Sequence, residues 1–193
     1  MEPQQLREAI AAAKSGRAEG YEALLRAYGG RLYGYFLRAT GDANDAEDLL
    51  SEVMLRLVRT LGRYDERGRF EPWLFRIAAN LVRDRIRRSR TRPQATSLSG
   101  EDERGRRNDE KLSADSDPVD ARLAAAESGQ ALQAALETLD ATTREMILLR
   151  HYGEMSYRQI AELFDCPLGT ALARVHRGLR ALRKVMEADD ERR

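Results

Sequence analysis

Cysteine is nearly absent from this chain: Cys166 stands alone, so no intrachain disulfide can brace the fold. Histidine is almost as scarce, with His151 and His176 only. These three are the only soft ligands, none at metal-site spacing, and no glycine-rich phosphate loop occurs. An enzyme is therefore a distant reading, and no cofactor or metal is expected. No apolar run approaches the ~20 residues that span a bilayer, and Met1 to Lys14 lacks the apolar core of a signal peptide. The expectation is a soluble cytoplasmic protein without membrane insertion. Sustained strand-type alternation is missing as well. So is a net charge of one sign, because 33 Lys and Arg face 32 Asp and Glu.

What is present is helical periodicity nearly throughout, which predicts an all-α fold. Leu6, Ile10 and Ala13 predict a short helix ending near Gly16. Tyr21, Leu24, Leu25, Tyr28, Leu32, Tyr35 and Phe36 predict a long second one despite Gly29 and Gly30. Ala46, Leu49, Leu50, Val53, Met54, Leu57 and Leu61 form the clearest stripe, and Trp73, Leu74, Ile77, Ala78 and Leu81 carry a fourth helix to about Arg90. Residues 1–92 thus read as one four-helix bundle. From Pro93 the periodicity disappears into Ser, Gly, Asp, Glu and Arg, so 93–120 reads as a flexible acidic linker. Residues 121–193 form a second small helical domain: Ala121–Leu139, Thr142–His151, then a tight pair of helices.

That pair runs from Met155 to Phe164, turns at Asp165, Cys166 and Pro167, and resumes from Leu168 to Arg177. It has the form of a helix-turn-helix, whose second helix enters the DNA major groove. Thr170, Ala173, Arg174 and Arg177 lie on one side, and Leu168, Ala171, Val175, Leu179 and Leu182 on the other. Pro167 stands where a helix start tolerates it. Arginine can bind guanine through two hydrogen bonds, worth ~1–3 kcal/mol of discrimination. Cys166 reads as a small apolar residue of the turn.

Charge is segregated along the chain. Asp45, Asp48 and Glu52 share one helix face, and no Lys or Arg occurs between Asp42 and Leu55. The face is either solvated, with acids favoured near a helix N-terminus, or a dock for a basic partner. Arg76, Asn80, Arg83 and Arg87 share a face of the next helix, with Trp73 at its head. Six arginines between Arg83 and Arg92 exceed what C-terminal capping needs. This suits phosphate binding, with Asn80 on a base edge and an aromatic on an unpaired base; Trp73 and Phe70 fit a core equally well. The loop from Tyr64 through Arg67 to Phe70 is a plausible pocket for a flipped base.

Asp45 through Leu57 resembles the core-polymerase-binding segment of bacterial sigma-70 family factors. Phe70 through Asn80 resembles their −10-element segment, and Tyr157 through Arg177 their −35-reading helix-turn-helix. The order and spacing are the family's, over all but the linker. The short length resembles the extracytoplasmic-function (ECF) group, which keeps only sigma regions 2 and 4. The resemblance implies that Asp45, Asp48, Leu49 and Glu52 dock on core polymerase. It implies −10 recognition and melting by Tyr64, Arg67, Phe70, Trp73, Arg76, Asn80, Arg83 and Arg87. The −35 element falls to Ser156, Tyr157, Arg158, Thr170, Ala173, Arg174, His176 and Arg177. Implied partners are core RNA polymerase (clamp and flap regions), promoter DNA and a cognate anti-sigma factor.

The chain departs from the family at Ala171, Leu172 and Ala173, where Val-Lys-Ser is frequent. Leu172 falls beside Leu168 and Leu179, which shifts base reading toward Arg174, Arg177 and His176. The competing reading is an autonomous helix-turn-helix regulator that binds duplex DNA without polymerase. The acidic stripe and the second nucleic-acid face around Trp73 and Asn80 argue against it.

Overall fold

The computed structural model describes residues 1–65, 70–91 and 129–190. The expected linker and Arg67 lie outside these residues. Among the described residues every regular element is helical. Helix α1 (Pro3–Lys14) begins with proline at a position whose N–H has no helical partner to lose. It buries Ala9, Ile10 and Ala13 against α2 (Ala18–Thr40), which continues unbroken through Gly29 and Gly30. Gly41 ends α2 at φ +75°, a left-handed cap that glycine adopts at little cost. Asp42 then starts α3 (Ala43–Thr60) by accepting a 2.8 Å bond from the Asp45 amide. A 3-10 turn, Leu61–Arg63, leads toward α4 (Phe70–Thr91).

The four-helix core holds Leu24, Leu32, Tyr35, Phe36, Leu49, Val53, Leu57, Phe70, Leu74 and Phe75, all almost fully buried. Each such side chain contributes about 1.5–3 kcal/mol, so packing rather than propensity maintains these helices. Leu25 departs from its predicted stripe and is 42% exposed, because the core side of α2 is filled by Leu24, Tyr28 and Leu32.

In the second half, helical residues 129–137 (α5) precede α6 (Ala141–Tyr152). Asp140 caps α6 by accepting from the Thr143 amide at 3.0 Å. Ser156 caps α7 (Tyr157–Leu163), with its hydroxyl accepting from the Gln159 amide and its own amide donating to Gln159 Oε1 at 2.8 Å. Asp165, at φ +47°, makes the turn into α8 (Leu168–Asp190), which extends far beyond Arg177. Ile160, Ala161, Ala171 and Val175 are buried between the last two helices. Helix α6 also packs on α2 and α4, and the apolar residues of both halves form one continuous cluster.

Candidate nucleic-acid interface

The acidic face of α3 is exposed but not unpaired. Asp48 is the most open, at 73% of its side chain, with Asp45 at 40% and Glu52 at 42%. Arg85 of α4 reaches across, its Nη2 2.6 Å from Asp45 Oδ1 and 2.9 Å from Asp48 Oδ2. Glu52 lies 3.8 Å from Arg56 one turn on. Leu49, expected beside these acids at the polymerase contact, is 1% exposed and faces the core. Its apolar side chain gains more from burial than from a solvated face, so it supports the acidic face from beneath.

Helix α4 carries the second set. Tyr64, Phe70 and Trp73 form an aromatic cluster: Tyr64 and Trp73 are 4.6 Å apart at their centroids, and Tyr64 meets Phe70 edge-on at 5.5 Å. Lys14 of α1 donates to the Tyr64 carbonyl oxygen and lies 5.7 Å over its ring. Phe70 is 1% and Tyr64 7% exposed, so neither ring is open to a base in this arrangement; both brace Trp73, which is half-buried. Both readings of Trp73 therefore meet in one side chain: one part packs, another reaches solvent. Arg76 and Asn80 stand exposed one turn apart on the same helix. Arg87 is also exposed and bonds Asp84 at 2.8 Å. Arg83 does not join them. It is half-buried against the C-terminal half, 3.0 Å from Glu145.

On the helix-turn-helix, Arg158, Thr170, His176 and Arg177 are exposed. Arg174 is partly exposed and lies 3.3 Å from Asp140 Oδ1. The Asp140 carboxyl is held below its ordinary range, first by the Thr143 side-chain hydrogen bond and further by Arg174. Tyr157 stacks on His176, with centroids 5.9 Å apart and planes 25° from parallel, and Arg150 lies 5.4 Å from the Tyr157 ring centroid. Ser156 is occupied as the α7 cap, though still exposed. Ala173 and Leu172 are half-buried, which leaves Thr170, Arg174 and Arg177 as the longer polar side chains on the outer face. Cys166 is half-buried in the turn, its amide bonded to the Ala161 carbonyl oxygen at 3.0 Å.

Sequence reasoning missed Arg85 as the partner of the acids, Lys14 as the brace of Tyr64, and Arg31. Arg31 links Glu71 (3.1 Å) to Glu154 (3.3 Å). None of these pairings lies within one helix, so periodicity carries no signal for them.

Residues 24–92 match the Sigma-70 region 2 family, and residues 129–182 the Sigma-70 region 4 family. The ECF RNA polymerase sigma factor SigC of Mycobacterium tuberculosis (strain CDC 1551 / Oshkosh) is 30% identical over 182 residues, 94% of this chain and 91% of that one. The ECF RNA polymerase sigma factor SigW of Bacillus subtilis (strain 168) is 28% identical, over 94% of this chain and 96% of SigW. Among solved structures, sigma factor RpoE in complex with the anti-sigma factor NepR, from Bartonella quintana, shares the fold. Its TM-score is 0.66 at 20% identity, over 89% of this chain and 99% of that chain. With both family regions in order and a relative alike over nearly its full length, the chain belongs to the ECF group of sigma-70 family RNA polymerase sigma factors.

Proposed function

We propose that this sigma factor docks on the clamp and flap regions of core polymerase, reads the −35 element with α8, and melts the −10 element with α4. The observation that carries the reading is the geometry around Trp73. A partly open indole sits on a buried aromatic base, with exposed Arg76 and Asn80 farther along the same helix. Stacking on an unpaired base is worth ~1–3 kcal/mol, which favours a strand already separated over a closed duplex. Arg76 and Arg87 supply phosphate contacts, and Asn80 supplies a base-edge contact.

On the −35 side, Arg174 and Arg177 read base edges, while Arg158 and the cap region at Ser156 and Tyr157 hold the backbone. Asp45, Asp48 and Glu52 form the polymerase dock, where complementary charge governs encounter rate and specificity more than affinity. The protein performs no chemistry of its own and acts in the cytoplasm, where polymerase works. A cognate anti-sigma factor covers the same docking face; the resemblance to a factor solved with NepR supports this by analogy.

Holoenzyme reconstituted with Asn80→Ala or Trp73→Ala should still engage promoter DNA but leave the −10 bases paired to permanganate. Arg177→Ala should instead weaken promoter engagement. Full melting by the Asn80 and Trp73 variants would refute the assignment of α4.

A further inference from the structure

Among the polar side chains on the outer face of α8, Arg174 has a carboxylate from another element beside it. Its Nη1 donates to Asp140 Oδ1 at 3.3 Å. Asp140 stands in the turn ahead of α6, so the contact ties that turn to the recognition helix across 34 positions.

The turn is fixed without Arg174. Asp140 Oδ1 also accepts from the Thr143 amide at 3.0 Å, as the N-cap of α6. Arg144, one turn on, donates to the carbonyl oxygens of Glu137 and Leu139 at 3.4 and 3.3 Å. The Leu139 amide donates to the Leu136 carbonyl oxygen at 3.2 Å. The carboxylate is therefore placed by bonds on both sides of it in the chain. The Thr143 side-chain hydrogen bond, first among several causes, holds its carboxyl below the ordinary range, so it is charged at neutral pH.

A guanidinium has five donors in a rigid fork. Asp140 engages one of them at Nη1, and Nε and Nη2 of Arg174 make no hydrogen bond among the described residues. Two such donors match the O6 and N7 acceptors of guanine. An arginine already held by a fixed carboxylate loses less conformational freedom on meeting a base. The acid has a cost as well: 61% exposed beside a DNA-facing helix, it repels phosphate. Asp140 thus opposes DNA binding in general while it steadies one base-reading side chain, and specificity is the difference between those effects.

We propose that Asp140 is a positioning residue for −35 recognition, orienting Arg174 toward a guanine that Arg174 alone would read less selectively. The inference rests on the reading of α8 as the −35 reader.

The test uses holoenzyme assembled from the full chain and core polymerase. It is bound, at one fixed salt concentration, to promoters carrying all four base pairs at each −35 position. Arg174→Ala locates the position it reads, where the preference for guanine should fall about 5- to 150-fold, the range for one arginine–guanine pair. Asp140→Ser keeps a good cap for α6, but its shorter side chain ends farther from Arg174. It should relax that same position about fivefold, the lower end of the range. It should also bind the other three base pairs there at least as tightly as wild type, because a negative charge is gone. Added to Arg174→Ala, it should relax nothing further, since the two residues act as one unit. Asp140→Asn, isosteric and an equal cap, should relax the position by a smaller factor; should serine lower the melting temperature, this variant decides in the same way.

Even weakening across all −35 sequences would mark Asp140 as a residue of the fold alone and overturn the positioning role. Additive relaxation in the double variant would overturn it too. If Arg174→Ala alters no base preference while Arg177→Ala does, Asp140 has nothing to position, and only the reading of α8 survives. If neither variant alters a −35 preference, the reading of α8 falls and the positioning role with it.

Discussion

Arg85 and Asp48 are joined by a 2.9 Å hydrogen bond that ties the arginine-rich helix to the acidic one. The same guanidinium lies 2.6 Å from Asp45, so the acidic face proposed as the polymerase dock is partly neutralised by the chain itself. The pair is largely solvated, and such pairs contribute ~0–1 kcal/mol to stability. Arg85→Ala should therefore shift the melting temperature by no more than about 2–4 °C. It should also speed association with core polymerase and steepen its salt dependence, because two carboxylates are released. Stopped-flow binding at low and high salt checks this; slower association in the variant would contradict it.

Asp140 gives a pH-dependent prediction. Its carboxyl is held below the ordinary value of 3.8 by the hydrogen bonds from Thr143 and the charge of Arg174. A depressed carboxyl contributes its full stability above its ordinary value and loses it as pH falls from there through the lowered value of the folded state. Asp140→Ala should cost about 1 kcal/mol at neutral pH, the usual loss for an N-cap. The difference between variant and wild type should shrink in acid, as followed by thermal melts across pH.

Lys14 belongs to α1, outside the matched region 2 segment, yet it holds Tyr64 from two sides, carbonyl and ring. Lys14→Met keeps the aliphatic stem and removes the charge. It should lower stability by ~1 kcal/mol and reduce melting more than promoter engagement, because the tilted Tyr64–Trp73 pair loses its brace. Unaltered permanganate reactivity at the −10 element would exclude this role.

Arg174 and Arg177 stand one turn apart but differ in their ties. Arg174 leans on Asp140 at 3.3 Å, whereas Arg177 is exposed. Arg177→Ala should cost ~1–3 kcal/mol in holoenzyme binding and relax specificity at one −35 position. Arg158→Ala should weaken binding evenly across sequences and reduce the salt slope by about one. Binding to a library of −35 variants at several salt concentrations separates the two.

The helices themselves were legible in the sequence because each follows from apolar spacing within a short window. The long second helix survives Gly29 and Gly30 since Leu24, Tyr28 and Leu32 keep its core face filled. The helix-turn-helix was legible for the same reason. Leu49 lies among the acids of the proposed dock, and its place in the Ala46–Val53 stripe directs it inward, where it is 1% exposed. What no window could carry were pairings between distant segments. Arg83 and Glu145 are 62 positions apart, and nothing in either helix marks the other as its partner. Arg83 consequently read as one more DNA-facing cation, when in the folded chain it binds the other half.

The most direct test of the account is permanganate footprinting of open complexes formed by sigma-free core polymerase with and without this chain, over a library of genomic promoters. Unpaired bases at −10 are expected only when chain and polymerase are both present, with no such melting by the chain alone. Tight, sequence-specific duplex binding by the chain without polymerase, and no melting with it, would contradict the account.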